Sequence, residues 1–146
     1  MIRHSVVAAL LAIAANTAVA AEFASVAKAG AVLFDGPSPN ASRLFVAPQG
    51  MPLELLSVIR LWVKARDASG DVFWIEKSDI SPVRTVVATD LSVVRAFAND
   101  AGEVLFEVEQ GVVLELLESD PAPGWARVRH RDGTTGFVRV DTLWGL

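Results

Sequence analysis

The chain contains no cysteine in 146 residues. That excludes disulfides, a thiol nucleophile and thiolate metal sites. It also excludes the lipid anchor that exported lipoproteins carry on a cysteine just after their cleavage point. Histidine is nearly absent: His4 lies at the extreme N-terminus, which leaves His130 alone in the body of the chain. One histidine cannot supply the three or four ligands of a metal site, and its place beside Arg129 and Arg131 near a turn reads as a solvated loop position. A Ser-His-acid arrangement would depend on that same residue, and no Gly-x-Ser-x-Gly elbow occurs. Phosphate-binding glycine loops and dinucleotide fingerprints are missing too. The sequence therefore points away from enzymes, and no cofactor or metal is expected.

Positive charge is also in short supply. Lys and Arg number 13 against 17 Asp and Glu, for a formal charge of −4. Such an acidic balance carries no electrostatic footprint for nucleic acid. Nor is there an apolar run of the roughly 18 or more residues that a stable membrane span needs.

What is present begins with a leader. Arg3 and His4 precede an unbroken apolar run from Val6 to Ala15, which Asn16 and Thr17 break before Ala18-Val19-Ala20. A short basic start, a short apolar run and a small-x-small ending make a secretory signal peptide, with cleavage expected between Ala20 and Ala21. The mature protein would be secreted across the inner membrane, and periplasmic in a Gram-negative cell. About 126 residues then remain, enough for one ordinary domain or two small ones.

Two halves of that remainder overlay. Ala31–Gly50 lies over Ser92–Gly111 without a gap, and Pro52–Leu56 over Val113–Leu117. A two-residue insertion falls at Asp120–Gly124. After it, Trp62–Arg66 matches Trp125–Arg129, Gly70 matches Gly133, Trp74–Glu76 matches Phe137–Arg139, and Ile80 matches Leu143. Proline at Pro82 stops the first pattern. The expected division is 1–20 leader, 21–82 first unit and 83–146 second unit.

Both units read as β-structure. Short segments rich in Val, Leu, Phe and Trp alternate with turn residues. Asp132-Gly133 is a hairpin signal, and Ala68–Asp71 holds its place in the first unit. About five strands per unit are expected, closing into a small barrel.

These residues resemble the bacterial SH3-like family. The second unit carries Val93-Val94-Arg95, a glycine before an apolar strand at Gly111–Leu116, Gly124 before Trp125–Arg129, Asp132-Gly133, Gly136-Phe137-Val138 and Leu143. The first unit keeps Gly36-Pro37, Gly50, Trp62, Gly70, Trp74 and Ile80, but has Phe34 in place of arginine and no glycine before Trp62. The resemblance covers residues 29–146 and implies an all-β fold of two tandem SH3-like barrels. It also implies cell-wall peptide or glycan (peptidoglycan) as ligand, or else a protein partner in the envelope. Many such domains accompany wall hydrolases, and no hydrolase domain is expected within these 146 residues. Proline-rich ligands fit poorly, because the groove that binds them is largely tyrosine and this chain has none.

Strand parity then selects candidate ligand contacts. Ala126 and Val128 share one face of their strand, leaving Trp125, Arg127 and Arg129 on the other. Val138 and Val140 form a core pair, which turns Phe137 and Arg139 outward. Arg95 joins this set. Trp62, Trp74, Lys64 and Arg66 are the counterparts in the first unit. Two readings stand side by side. Aromatic faces stack on sugar or peptide while arginines bind carboxylates, or the Trp rings pack into the small core and the arginines pair across strands with Glu107, Glu109, Glu115 or Glu118. Trp144 near the end is expected to dock against a barrel, or else to serve as an exposed anchor.

Overall fold

The computed structural model describes residues 20–146. The expected leader lies outside the described residues except for Ala20. Among the described residues there is no α-helix, and no helix is long and apolar enough to cross a membrane.

The chain forms two seven-stranded sheets with the same plan. The first contains β1 (Glu22–Val26), β2 (Ala31–Phe34), β3 (Arg43–Ala47), β4 (Pro52–Ile59), β5 (Trp62–Arg66), β6 (Val72–Glu76) and, after a 3₁₀ turn at Lys77–Asp79, β7 (Ile80–Ser81). The second contains β8 (Thr85–Ala88), β9 (Ser92–Arg95), β10 (Val104–Val108), β11 (Val113–Ala122), β12 (Trp125–Arg129), β13 (Thr135–Arg139) and, after a 3₁₀ turn at Val140–Thr142, β14 (Leu143–Trp144). Their strand orders are β3-β2-β6-β5-β4-β1-β7 and β10-β9-β13-β12-β11-β8-β14. The repeat read from the sequence is thus a repeat of topology.

One expectation is corrected. Each unit has seven strands, not five; β7 and β14 are two-residue strands, too short to carry an alternating pattern. Each unit is the small SH3-like barrel expected, built from one curled sheet, and among the described residues no ladder joins β3 to β7 or β10 to β14. The curl has a local source. Register shifts fall between Leu33 and Phe34 and between Leu55 and Ser57, and again at the matching points beside Leu105 and Leu117. Such bulges bend a strand and increase its twist.

Alternation then decides which face is buried. Val63, Ala65, Phe73 and Ile75 join Val26, Leu33 and Leu53 in the first core. Ala126, Val128 and Val138 join Val86, Val94 and Leu114 in the second. Burying each valine, leucine, isoleucine or phenylalanine among them contributes about 1.5–3 kcal/mol. The largest change of volume between the two cores falls at one pair of positions. Phe73 is 2% exposed, while Gly136 in the matching place has no space at all: a Cβ there would lie 2.5 Å from Val94 Cγ1 and 2.9 Å from the Arg95 carbonyl. The hairpin at Asp132-Gly133 forms as expected, with Gly133 at φ 92° and the Thr134 amide donating to Asp132 Oδ1 at 2.8 Å.

The units are joined by specific contacts. The Ser25 hydroxyl donates to the Val83 carbonyl at 2.7 Å, and the Thr85 hydroxyl to the Gly50 carbonyl at 2.7 Å. Arg84 reaches the Gly145 carbonyl through Nη2 at 2.8 Å and lies over the Phe23 ring at 5.4 Å. Trp144 docks edge-on against the same Phe23, so it packs on the neighbouring unit and is not a free anchor.

Candidate functional site

Register across the second sheet builds a row of outward side chains. Phe137 stands opposite Arg95 on one side and Arg127 on the other, and Arg127 stands opposite Glu118. Cross-strand neighbours on one face lie about 4.5–5.5 Å apart at Cβ, so cation, ring, cation and carboxylate follow one another across four strands. The loop between β9 and β10 overhangs this row. Arg95 holds it through Nη1 to the Gly102 carbonyl at 2.8 Å. Gly102 itself is buried and so tightly enclosed that a Cβ would lie 3.0 Å from the Phe97 carbonyl. The result is a cleft of about 520 Å³ with Ala96 and Ala98 on one wall, Glu118 and Pro121 on the other, and Arg127, Thr135 and Phe137 at its base.

The cations in and around the cleft already have partners. Arg127 Nη1 lies 3.6 Å from Glu118 Oε1, Arg129 Nη2 lies 3.3 Å from Glu115 Oε1, and Arg139 Nη1 lies 3.6 Å from Asp100 Oδ2. All six side chains are between two-fifths and four-fifths exposed. Ion pairs of this kind contribute about 0–1 kcal/mol. A ligand carboxylate can therefore displace such a glutamate at little cost.

The sequence-derived candidates separate here. Arg127 and Phe137 line the cleft, and Arg95 stands beside Phe137 on the neighbouring strand. Arg129 lies beyond it, opposite Thr135 and Glu115. Trp125 is 4% exposed and sits beneath the Arg139 guanidinium, whose carbon is 5.4 Å from the ring centroid. Its ring therefore offers no free face for stacking. Of the glutamates named as cross-strand partners, Glu115 and Glu118 do pair with arginines. His130 is not simply solvated: it packs against Phe106 with centroids 5.5 Å apart and lies 3.2 Å from Asp132 Oδ1. Residues that sequence reasoning missed are Ala96, Ala98, Asp100 and Thr135. They lie on a loop and a strand end, where no periodicity marks them.

The first unit presents a different face. Trp74 stands opposite Phe34 and Lys64, and Lys64 opposite Ser57. Phe34 is buried and meets Trp62 edge-on at 5.2 Å. Arg66 binds Glu54 at 2.8 Å. Glu76 occupies the place of Arg139. The cation–ring–cation row of the second unit thus becomes a half-buried aromatic cluster with one lysine, and the two faces have diverged in chemistry.

The topology and the duplicated cores define a class: two tandem small all-β modules of SH3-like plan, each with one curled antiparallel sheet. The family model for the bacterial SH3 domain matches residues 27–82 and 88–145, and the chain belongs to that family. No curated protein matches the sequence. Among solved structures it is similar to NlpC2 from Trichomonas vaginalis, at 14% identity and TM-score 0.39, over 86% of this chain and 48% of that one. It is similar to NlpC1 from the same organism, at 14% identity and TM-score 0.38, over 92% of this chain and 50% of that one. An NlpC/P60 family protein from Bacillus cereus gives 15% identity and TM-score 0.37, over 84% of this chain and 56% of that one. The chain thus spans about half the length of these structures.

Proposed function

We propose that this protein is an exported, non-catalytic binding module whose second domain holds a short peptide stretch of the cell wall in the cleft over Phe137. The observation that carries this reading is the Arg95–Phe137–Arg127 row beneath the overhanging loop. The ring supplies an apolar floor. Arg127, released from Glu118, is placed to bind a carboxylate such as wall peptides carry. The leader expected at residues 1–20 would deliver the protein to the compartment where that ligand resides. In a Gram-negative cell this is the periplasm.

The test is co-sedimentation of purified residues 21–146 with purified sacculi across a salt series. Saturable pelleting that persists at moderate salt, and that Arg127→Glu abolishes, supports the reading. Absence from the pellet at every salt concentration rejects it.

A second reading, an envelope protein-interaction or scaffold module, is favoured by one feature of the first domain. β3 is a sheet edge that exposes Leu44, Phe45 and Val46 in succession. Exposed apolar edges pair readily with extended chains. Crosslinking to one discrete envelope protein, without wall binding, would favour this reading.

A further inference from the structure

The two domains differ in the strand that borders the cleft. In the first domain the hairpin of β4 and β5 is regular at its tip: Ser57, Val58 and Ile59 stand opposite Lys64, Val63 and Trp62 in turn. In the second domain Glu118 stands opposite Arg127, and the next pair is Ala122 opposite Trp125. Both hairpins turn through two residues, Arg60-Leu61 and Pro123-Gly124. Ser119, Asp120 and Pro121 therefore all face Ala126, where the first domain sets Val58 alone against Val63. The two extra residues of the second repeat thus form a bulge inside β11, and the turn keeps its length. Proline favours that outcome, because Pro121 has no N–H to give to a regular ladder. Bulges beside binding sites re-aim side chains. Here Pro121 joins Glu118 in the wall of the cleft that faces Ala96 and Ala98.

We infer that this bulge is the specificity-determining element of the second domain: it builds the Pro121 wall and so fits the cleft to a carboxylate carried on an extended chain beside an apolar group. The inference rests on the reading of the cleft given above and adds what the cleft selects. Arg127 is the cation that lines the cleft, while Pro121, Phe137 and the two alanines supply its apolar surface. A carboxylate on Arg127 brings its neighbouring group against Pro121 and Phe137. The first domain has Ser57 in place of Glu118, Lys64 in place of Arg127 and no bulge to hold a proline. It is the same sheet without the wall, and it shows that the fold accepts a regular hairpin there.

The test replaces Ser119–Pro121 by a single valine in residues 21–146, which gives the second hairpin the ladder of the first. A dispersed NMR spectrum checks that the variant folds. Its retention on purified sacculi should fall at least about tenfold below that of the parent. Pro121→Asp keeps the bulge at an exposed position. It should weaken retention similarly at low salt, since it sets a carboxylate against that of the ligand, and the deficit should narrow as salt rises. Val58→Asp, on the matching strand of the first domain, should leave retention unchanged. Should the valine replacement not fold, Pro121→Asp decides by itself. Retention equal to the parent in the second-domain variants overturns the inference and leaves the reading of the cleft standing. An equal loss with Val58→Asp overturns it as well, by spreading the site over both domains. No retention of the parent rejects the reading of the cleft and this inference with it.

Discussion

Phe23 and Trp144, from the first strand of one domain and the last strand of the other, meet edge to face with centroids 5.3 Å apart and planes at 89°. Arg84, in the short connection between the domains, covers the other element of this contact through its guanidinium over Phe23. The joint is therefore built from residues far apart in the chain and does not act as a loose tether. Aromatic pairs of this geometry add about 0.5–1.5 kcal/mol beyond the area they bury.

Trp144→Ala is expected to lower stability by about 1–3 kcal/mol and to reduce the coupling between the domains. Urea denaturation followed by two probes, one in each domain, measures this. Coincident transitions in the wild type should separate in the variant; unchanged coincidence and midpoint would contradict the role given to the joint.

Gly136→Ala should destabilise the second domain selectively. A methyl group there meets Val94 Cγ1 at 2.5 Å and backbone at 2.9 Å. Overpacking of this kind costs about 1–3 kcal/mol. Hydrogen exchange resolved by residue should show faster opening in β9, β12 and β13, with protection in the first domain retained.

Arg127 and Glu118 should be only weakly coupled in stability. A double-mutant cycle with Arg127→Ala and Glu118→Ala is expected to return less than about 1 kcal/mol. In the sacculus assay the two single variants should diverge. Arg127→Ala weakens retention, while Glu118→Ala leaves it equal or stronger, because it frees the guanidinium for a ligand carboxylate. A parallel loss in both would show that the pair acts as a structural unit.

The hairpin at Asp132 should respond to acid. The Thr134 amide donates to Asp132 and holds its carboxyl below the ordinary aspartate value, with a smaller contribution from His130. For a carboxyl whose folded pKa is depressed, the stabilising contribution is present above the unfolded value of about 3.9 and is lost as pH falls through the folded one. The Thr134 amide resonance should therefore titrate at a pH below 3.9, the ordinary carboxyl range, and Asp132→Asn should remove that titration. A midpoint at or above the ordinary value would contradict this account.

Much of the fold was legible because it rests on local regularities. Trp62–Arg66 and Trp125–Arg129 alternate apolar and polar side chains, and the structure buries Val63, Ala65, Ala126 and Val128 as that parity requires. Glycines at matching points mark the turns in both halves. The candidate site was legible in part. Parity placed Phe137 and Arg127 on one face, yet it also placed Trp125 there. Parity reports which side of a sheet a residue occupies and not what lies above that side. Arg139 on the neighbouring strand closes over Trp125, and the loop at Ala96–Glu103 walls the cleft beside Phe137. Both depend on which strands adjoin.

The amino-acid order alone therefore determined the class of fold, its duplication, the turn positions and the exclusion of thiol and multi-histidine chemistry, since composition, spacing and alternation are properties of the chain itself. Tertiary structure decided which ring is buried and which arginine meets which carboxylate. Those outcomes depend on contacts between residues far apart in sequence, such as Phe23 with Trp144 and Leu146 with the second core. No local pattern encodes such contacts.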